Sequence, residues 1–261
     1  MIAATNITLR YGRNTVLDDL SFQADPGQFT AIVGPNGSGK TSLLKALTGE
    51  MPIDGKVSVS GCDIAATPAW HLATLRAVLP QATVLSFPFQ ALEVVRLGQA
   101  RNTMRDGTLP HQALARVGLS GYEDRFYQEL SGGEQQRVQL ARVLCQVWTP
   151  VENGTPRWLL LDEPVSSLDI GHQLEIMQIA RDYANAGGGV IAVMHDLNLS
   201  AMFADRVVLM KSGAILADGT ASNVLTDQNV SQTYECRVQT RTVPQDEAWF
   251  LLPQGAALRP D

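Results

Sequence analysis

The run Gly34-Pro35-Asn36-Gly37-Ser38-Gly39-Lys40-Thr41 constrains this chain more than any other feature, because it fits G-x-x-x-x-G-K-(S/T) in a defined setting. It follows the short apolar run Phe29 to Val33, which reads as a buried strand. It precedes Leu43, Leu44 and Leu47, whose spacing predicts a helix from about Lys40 to a stop at Gly49. Glycines at this spacing let backbone N–H groups turn inward around phosphate oxygens, and the helix N-terminus adds partial positive charge. Lys40 is expected to bridge the β- and γ-phosphates of a nucleotide, with the Thr41 hydroxyl on Mg²⁺ and Ser42 beside it. The plainer reading is a glycine-rich turn without a ligand. A chance match in a chain this long comes to roughly 1% at average glycine content, and the strand–helix context lowers it further.

Two more apolar runs end in polar residues. Leu159-Leu160-Leu161 leads into Asp162-Glu163, and Val190 to Met194 leads into His195-Asp196. Each could be no more than a strand entering a polar turn, with Asp196 capping the next helix. Beside a phosphate loop they gain meaning, because parallel sheets bind ligands beyond the carboxyl ends of their strands. Asp162 is then expected to hold Mg²⁺ through the outer shell. Glu163 would orient or deprotonate an attacking water, and His195 would contact the γ-phosphate. Leu130-Ser131-Gly132-Gly133-Glu134-Gln135-Gln136-Arg137 is a second glycine turn before a helix. Ser131 and Glu134 suit a capping box, yet a box does not need two glycines, and bare N–H groups there could face an anion.

Around these motifs the pattern is α/β. Ile7 to Tyr11 and Val16 to Phe22 predict strands in an N-terminal sheet, Val57 to Val59 another, and Val207 to Met210 with Ala214 to Leu216 a hairpin about Ser212-Gly213. Residues 82–150 show helical spacing and read as a helical lobe inserted in the core. Trp148 to Arg157 reads as a connector, and the last thirty residues as a small β-rich tail or a dimerisation aid. The 261 residues carry 45% apolar and 18% charged side chains, ample for a core and wrong for a disordered chain. A net charge of −6 argues against nucleic acid as the main partner. Cys62, Cys145 and Cys236 have no C-x-x-C spacing, which argues against a zinc site or a disulfide framework and suits a reducing cytosol. The first residues lack a signal-peptide pattern and no run approaches 18 apolar residues, so a membrane role is expected to come through a partner.

The motifs together resemble the ATP-binding cassette (ABC) ATPases over roughly residues 5 to 225. In order they are the phosphate loop, Gln81, the signature from Leu130 to Gln135, Leu159 to Glu163, Ser166-Ser167-Leu168-Asp169, and His195. The resemblance implies a P-loop (RecA-like) core with an N-terminal antiparallel β group and the helical subdomain at 82–150, all one domain over 1–261 with an extension at 226–261. It implies that Tyr11 stacks on adenine and that Gln81 helps ligate Mg²⁺ and senses the γ-phosphate. Ser131, Gly132 and Gly133, with Glu134 and Gln135, would face the ATP held by the other copy in a head-to-tail homodimer, and Asp169 would lie at the seam. Val165 departs from the threonine that many relatives carry after Glu-Pro.

Fifty residues from Gln81 to Ser131 leave no room for a long coiled coil, and one cassette with no spanning segment resembles the ATPase subunit of a bacterial importer with separate permease subunits. Arg76 to Gln81, Phe87-Pro88-Phe89, and Glu134 to Leu144 resemble the haem (hemin) import ATP-binding proteins; ferric-siderophore and cobalamin importers are near neighbours. The resemblance implies a place on the cytoplasmic face of the inner membrane and an indirect partner in a periplasmic binding protein. A soluble ABC switch and a P-loop kinase remain the rival classes. Val84 to Phe89 reads as lobe core or as part of a groove for the permease. His71, His111 and His172 are not expected to ligate haem.

Overall fold

The computed structural model describes residues 1–83, 85, 87–99, 107–243, 249 and 251–255. The chain opens with the antiparallel pair β1 (Ile2–Tyr11) and β2 (Asn14–Ala24), then β3 (Phe29–Val33) and α1 (Lys40–Thr48). Next come β4 (Asp54–Val59) and β5 (Cys62–Asp63), completing an antiparallel sheet of order β2-β1-β4-β5. After α2 (Ala69–Leu75) and β6 (Arg76–Leu79) lie three helices: α3 (Ala91–Arg96), α4 (Leu109–Arg116) and α5 (Gly132–Gln146). A small hairpin of β7 (Val151–Glu152) and β8 (Thr155–Pro156) leads to β9 (Trp158–Asp162), α6 (Ile170–Asn185), β10 (Gly189–Val193) and α7 (Leu197–Phe203). The strands β11 (Arg206–Lys211) and β12 (Ala214–Gly219) form the expected hairpin, followed by α8 (Ala221–Val224) and α9 (Asp227–Tyr234).

The large sheet has the order β12-β11-β3-β10-β9-β6, parallel except for its antiparallel edge strand β12. Its central strands are continuous apolar runs because both faces are covered. Side-chain alternation splits them between two cores. Phe29, Ala31, Leu159, Leu161, Val190 and Ala192 face a core shared with α3 to α7. Ile32, Trp158, Leu160, Ile191 and Val193 face α1 and the antiparallel sheet. Full burial of each large aliphatic side chain contributes about 1.5–3 kcal/mol, so this two-sided sheet is the rigid frame on which the strand ends are held.

Three features differ from the sequence reading. The strand β6 was not anticipated: it has only four residues and follows α2 directly, with no glycine or proline between them. The segment from Trp148 to Arg157 is not plain connector, because Gly154 at φ +76° and Asn153 at φ +50° let it turn back on itself as the β7–β8 hairpin. The expected β-rich tail is not seen where the chain is described, while 244–248, 250 and 256–261 lie outside the described residues. Among the described residues beyond 226 there is no strand; α9 buries only Val230 and Thr233, too sparse a pattern to read from sequence.

Candidate functional site

Four adjacent parallel strands, β3, β10, β9 and β6, bring the sequence motifs side by side. The phosphate loop begins at the end of β3, and His195 lies two residues beyond β10. Asp162 ends β9 with Glu163 just after it, and Gln81 lies two residues beyond β6. Beyond these ends is a cleft of about 700 Å³. Residues 36–42 line it together with Gln81, Glu163, His195, Tyr11 and Val16. Tyr11 is 43% exposed and so not a core aromatic.

The loop conformation depends on its glycines, all three of which take positive φ. Gly34 adopts φ +152°, and a Cβ there would lie 2.2 Å from the Met210 carbonyl oxygen. Gly39 at φ +99° starts α1 with no side-chain cap, which leaves the first N–H groups of the helix for a ligand. Lys40, 5% exposed, donates from Nζ to the carbonyls of Gly34 (2.9 Å) and Pro35 (3.0 Å). Burial lowers its pKa below the ordinary lysine value, against the opposing pull of Glu163 and Asp162.

The Thr41 hydroxyl donates to Asp162 Oδ1 at 3.1 Å. Burial raises the Asp162 carboxyl above its ordinary range, and the Thr41 hydrogen bond draws it the other way. A second recess of about 230 Å³ is lined by Thr41, Lys45, Gln81 and Asp162 among others. Thr41, Gln81 and Asp162 offer hard oxygen atoms of the kind a small divalent cation prefers. Among the described residues no three His, Cys, Asp or Glu side chains form a self-sufficient metal cluster. The oxygen chemistry of Thr41, Gln81 and Asp162 fits a small hard cation whose other ligands would be substrate phosphates and water.

Glu163 takes the left-handed backbone at φ +52° and donates its N–H to the Val193 carbonyl of β10 at 3.1 Å. Its Oε1 lies 2.6 Å from His195 Nε2, a pairing that the sequence did not show. Two further residues are new. Val16 lines the cleft from β2, and Gln136 of α5 donates to the Glu163 carbonyl. A pattern of residue types along the chain carries no signal for either, since both depend on which elements meet in space.

The Ser131 turn forms the full capping box. The Ser131 N–H donates to Glu134 Oε2 (2.8 Å), the Ser131 hydroxyl to the same oxygen (2.7 Å), and the Glu134 N–H to Ser131 Oγ (3.3 Å). Gln135 donates to the carbonyls of Tyr127 and Leu130. Ser131 and Gly132 are exposed, but residues 131–135 do not line the cleft of their own chain. Asp169 caps α6 by accepting from the His172 N–H at 3.0 Å, and its carboxylate also faces His172 Nδ1.

The family model described as ABC transporter matches residues 17–166. The Hemin import ATP-binding protein HmuV of Jannaschia sp. (strain CCS1) is 60% identical over 259 residues, covering 98% of this chain and 95% of that protein. The protein of the same name from Roseobacter denitrificans (strain ATCC 33942 / OCh 114) is 57% identical over 254 residues, covering 97% of each. A solved structure described as an ATP binding subunit of an ABC transporter superposes with a TM-score of 0.76 at 22% identity, over 91% of this chain and 94% of that one, a likeness of fold. With its motif order, sheet topology and cleft on the same footing as these matches, the chain belongs to the ABC transporter family.

Proposed function

We propose that the chain is the ATP-hydrolysing subunit of a bacterial ABC importer for haem, acting as a homodimer under separate permease subunits at the cytoplasmic face of the inner membrane. The observation that carries the hydrolytic reading is the row of strand ends β3-β10-β9-β6, which lines up the phosphate loop, His195, Glu163 and Gln81 on one cleft, with Asp162 in the recess that shares Thr41 and Gln81 with it. The 60% and 57% identical relatives named for hemin import support the cargo. The whole chain is one ATPase domain, with a helical subdomain at 82–150 and an extension at 226–261.

In this reading Tyr11 offers its exposed ring to adenine, while the loop amides from Gly34 to Lys40, with Thr41 and Ser42, hold the phosphates. Thr41, Gln81 and Asp162 would hold Mg²⁺, which neutralises phosphate charge when bound. Glu163 orients the attacking water and accepts its proton, and His195 contacts the γ-phosphate. The bond between Glu163 and His195 keeps both at one point of the cleft. Ser131 to Gln135 would close on the ATP of the opposing copy, with Asp169 at the seam; in their own chain they do not line the cleft. Loss of the γ-phosphate contacts lets the two copies part, a ligand-driven shift in population.

No helix among the described residues is long and apolar enough to cross a membrane, and attachment is assigned to the permease. Its docking segment is the apolar stretch 84–89, where Phe87 is 70% exposed and meets Phe89 edge-on at 6.4 Å, while Leu85 and Phe89 pack on the core. Val84 and Ser86 lie outside the described residues. The test is ATP hydrolysis by the subunit and its permease in liposomes, with periplasmic binding protein carrying haem, cobalamin or a ferric siderophore. Stimulation and uptake with the haem-loaded form alone are expected. Stimulation by another cargo would overturn the haem reading and keep the ATPase; no coupling to any permease would overturn the importer reading.

A further inference from the structure

Gln136 lies one turn into α5 and lines neither cleft, yet its amide spans the loop that carries Glu163. Its Nε2 donates to the Glu163 carbonyl at 2.8 Å, and its Oε1 accepts from the Ser167 N–H at 3.3 Å. One end must donate and the other accept, so the amide has a single orientation. The approach is close because residue 133 is glycine: a Cβ there would lie 3.1 Å from the Ser167 carbonyl oxygen and 3.2 Å from Leu168 Cδ2.

The carbonyl that Gln136 holds belongs to a residue at φ +52°, a left-handed conformation that a residue with a Cβ keeps only where its surroundings fix it. The Ser166 N–H and hydroxyl also reach that carbonyl, at 3.4 and 3.3 Å, so the bond from Gln136 is the shortest of the three. Rotation of this peptide would swing the Glu163 side chain away from His195 Nε2, now 2.6 Å from its carboxylate.

We propose that Gln136 is a positioning residue for Glu163, acting from the helical lobe by clamping the Glu163–Ser167 turn so that the carboxylate points into the cleft. The proposal rests on the reading of Glu163 as the group that activates water. It gives α5 two tasks, the Ser131 turn at its start and the hold on its own chain's carboxylate one turn later.

The test is steady-state ATP hydrolysis by the full-length chain carrying Gln136→Met, a residue of similar length that can make neither bond. The expected kcat is lower by roughly ten- to a hundredfold, as for a small misplacement of a reacting group. KM for ATP should stay within about twofold, because the phosphate loop is untouched. In a Glu163→Gln background, followed by single-turnover hydrolysis of labelled ATP, the same change should have no further effect. Gln136→Glu keeps the acceptor for Ser167 but cannot donate to the Glu163 carbonyl, so it should be slow as well; it also serves if the Met variant does not fold. Wild-type kcat in Gln136→Met or Gln136→Glu, a change in KM alone, or an equal loss in both backgrounds would overturn the positioning role. Normal hydrolysis by Glu163→Gln would instead overturn the parent reading.

Discussion

At Gly34 a hydrogen in place of a methyl group decides whether the phosphate loop can close. Gly34→Ala would drive Cβ to 2.2 Å from the Met210 carbonyl, so it should cost at least about 1–3 kcal/mol in a denaturant titration and lose ATP binding with it. Lys40→Ala is expected to behave differently. Its ammonium is held by two loop carbonyls, and in the proposed reading it also meets the incoming phosphates. The fold should persist, and calorimetry should find ATP bound roughly 10- to 100-fold more weakly, the worth of a charged hydrogen bond. Most of the cleft was legible at this scale, because backbone chemistry forces particular residue types into the loop and a strand end leaves Asp162, Glu163 and His195 in view. The Glu163–His195 bond, Val16 and Gln136 were not legible. Each depends on neighbours 32, 20–26 or 27 positions away in the chain, and no local pattern encodes such a meeting.

Elements were legible where both faces are buried or a cap is strong. The strands β3, β9 and β10 announce themselves as unbroken apolar runs, and Leu160 at the centre of β9 has no exposed surface. Leu160→Ala should cost about 2–5 kcal/mol by thermal or chemical unfolding. The start of α5 was legible through its Ser131–Glu134 spacing. Hydrogen bonds from Ser131 hold the Glu134 carboxyl below its ordinary value. Such a depressed carboxylate adds stability that is complete above the ordinary carboxylate range and fades as pH falls through the depressed value. Ser131→Ala should therefore cost about 0.5–2 kcal/mol near neutral pH, and the difference from wild type should shrink in acid when unfolding is followed at several pH values. By contrast, β6 alternates buried and half-buried residues over only four positions, and α9 is polar along most of its length, so neither carries enough period to be read.

At the scale of the molecule, the order of the large sheet places β10 between β3 and β9, although it follows both in the chain. That order puts His195 beside the phosphate loop on one side and Glu163 on the other, and it explains how three separate strand ends meet at one crevice. The sequence predicted that convergence from the chemistry of the ends, without the strand order that produces it. The same architecture leaves the Ser131 turn and Asp169 outside the lining of their own cleft, and in the proposed homodimer they would serve the site of the opposing copy. The most direct test of this account is light scattering on Glu163→Gln with ATP and Mg²⁺, with hydrolysis measured on the same sample. The account predicts a stable dimer that retains ATP and turns over little. A variant that stays monomeric with ATP bound, or hydrolyses ATP at the wild-type rate, would contradict it.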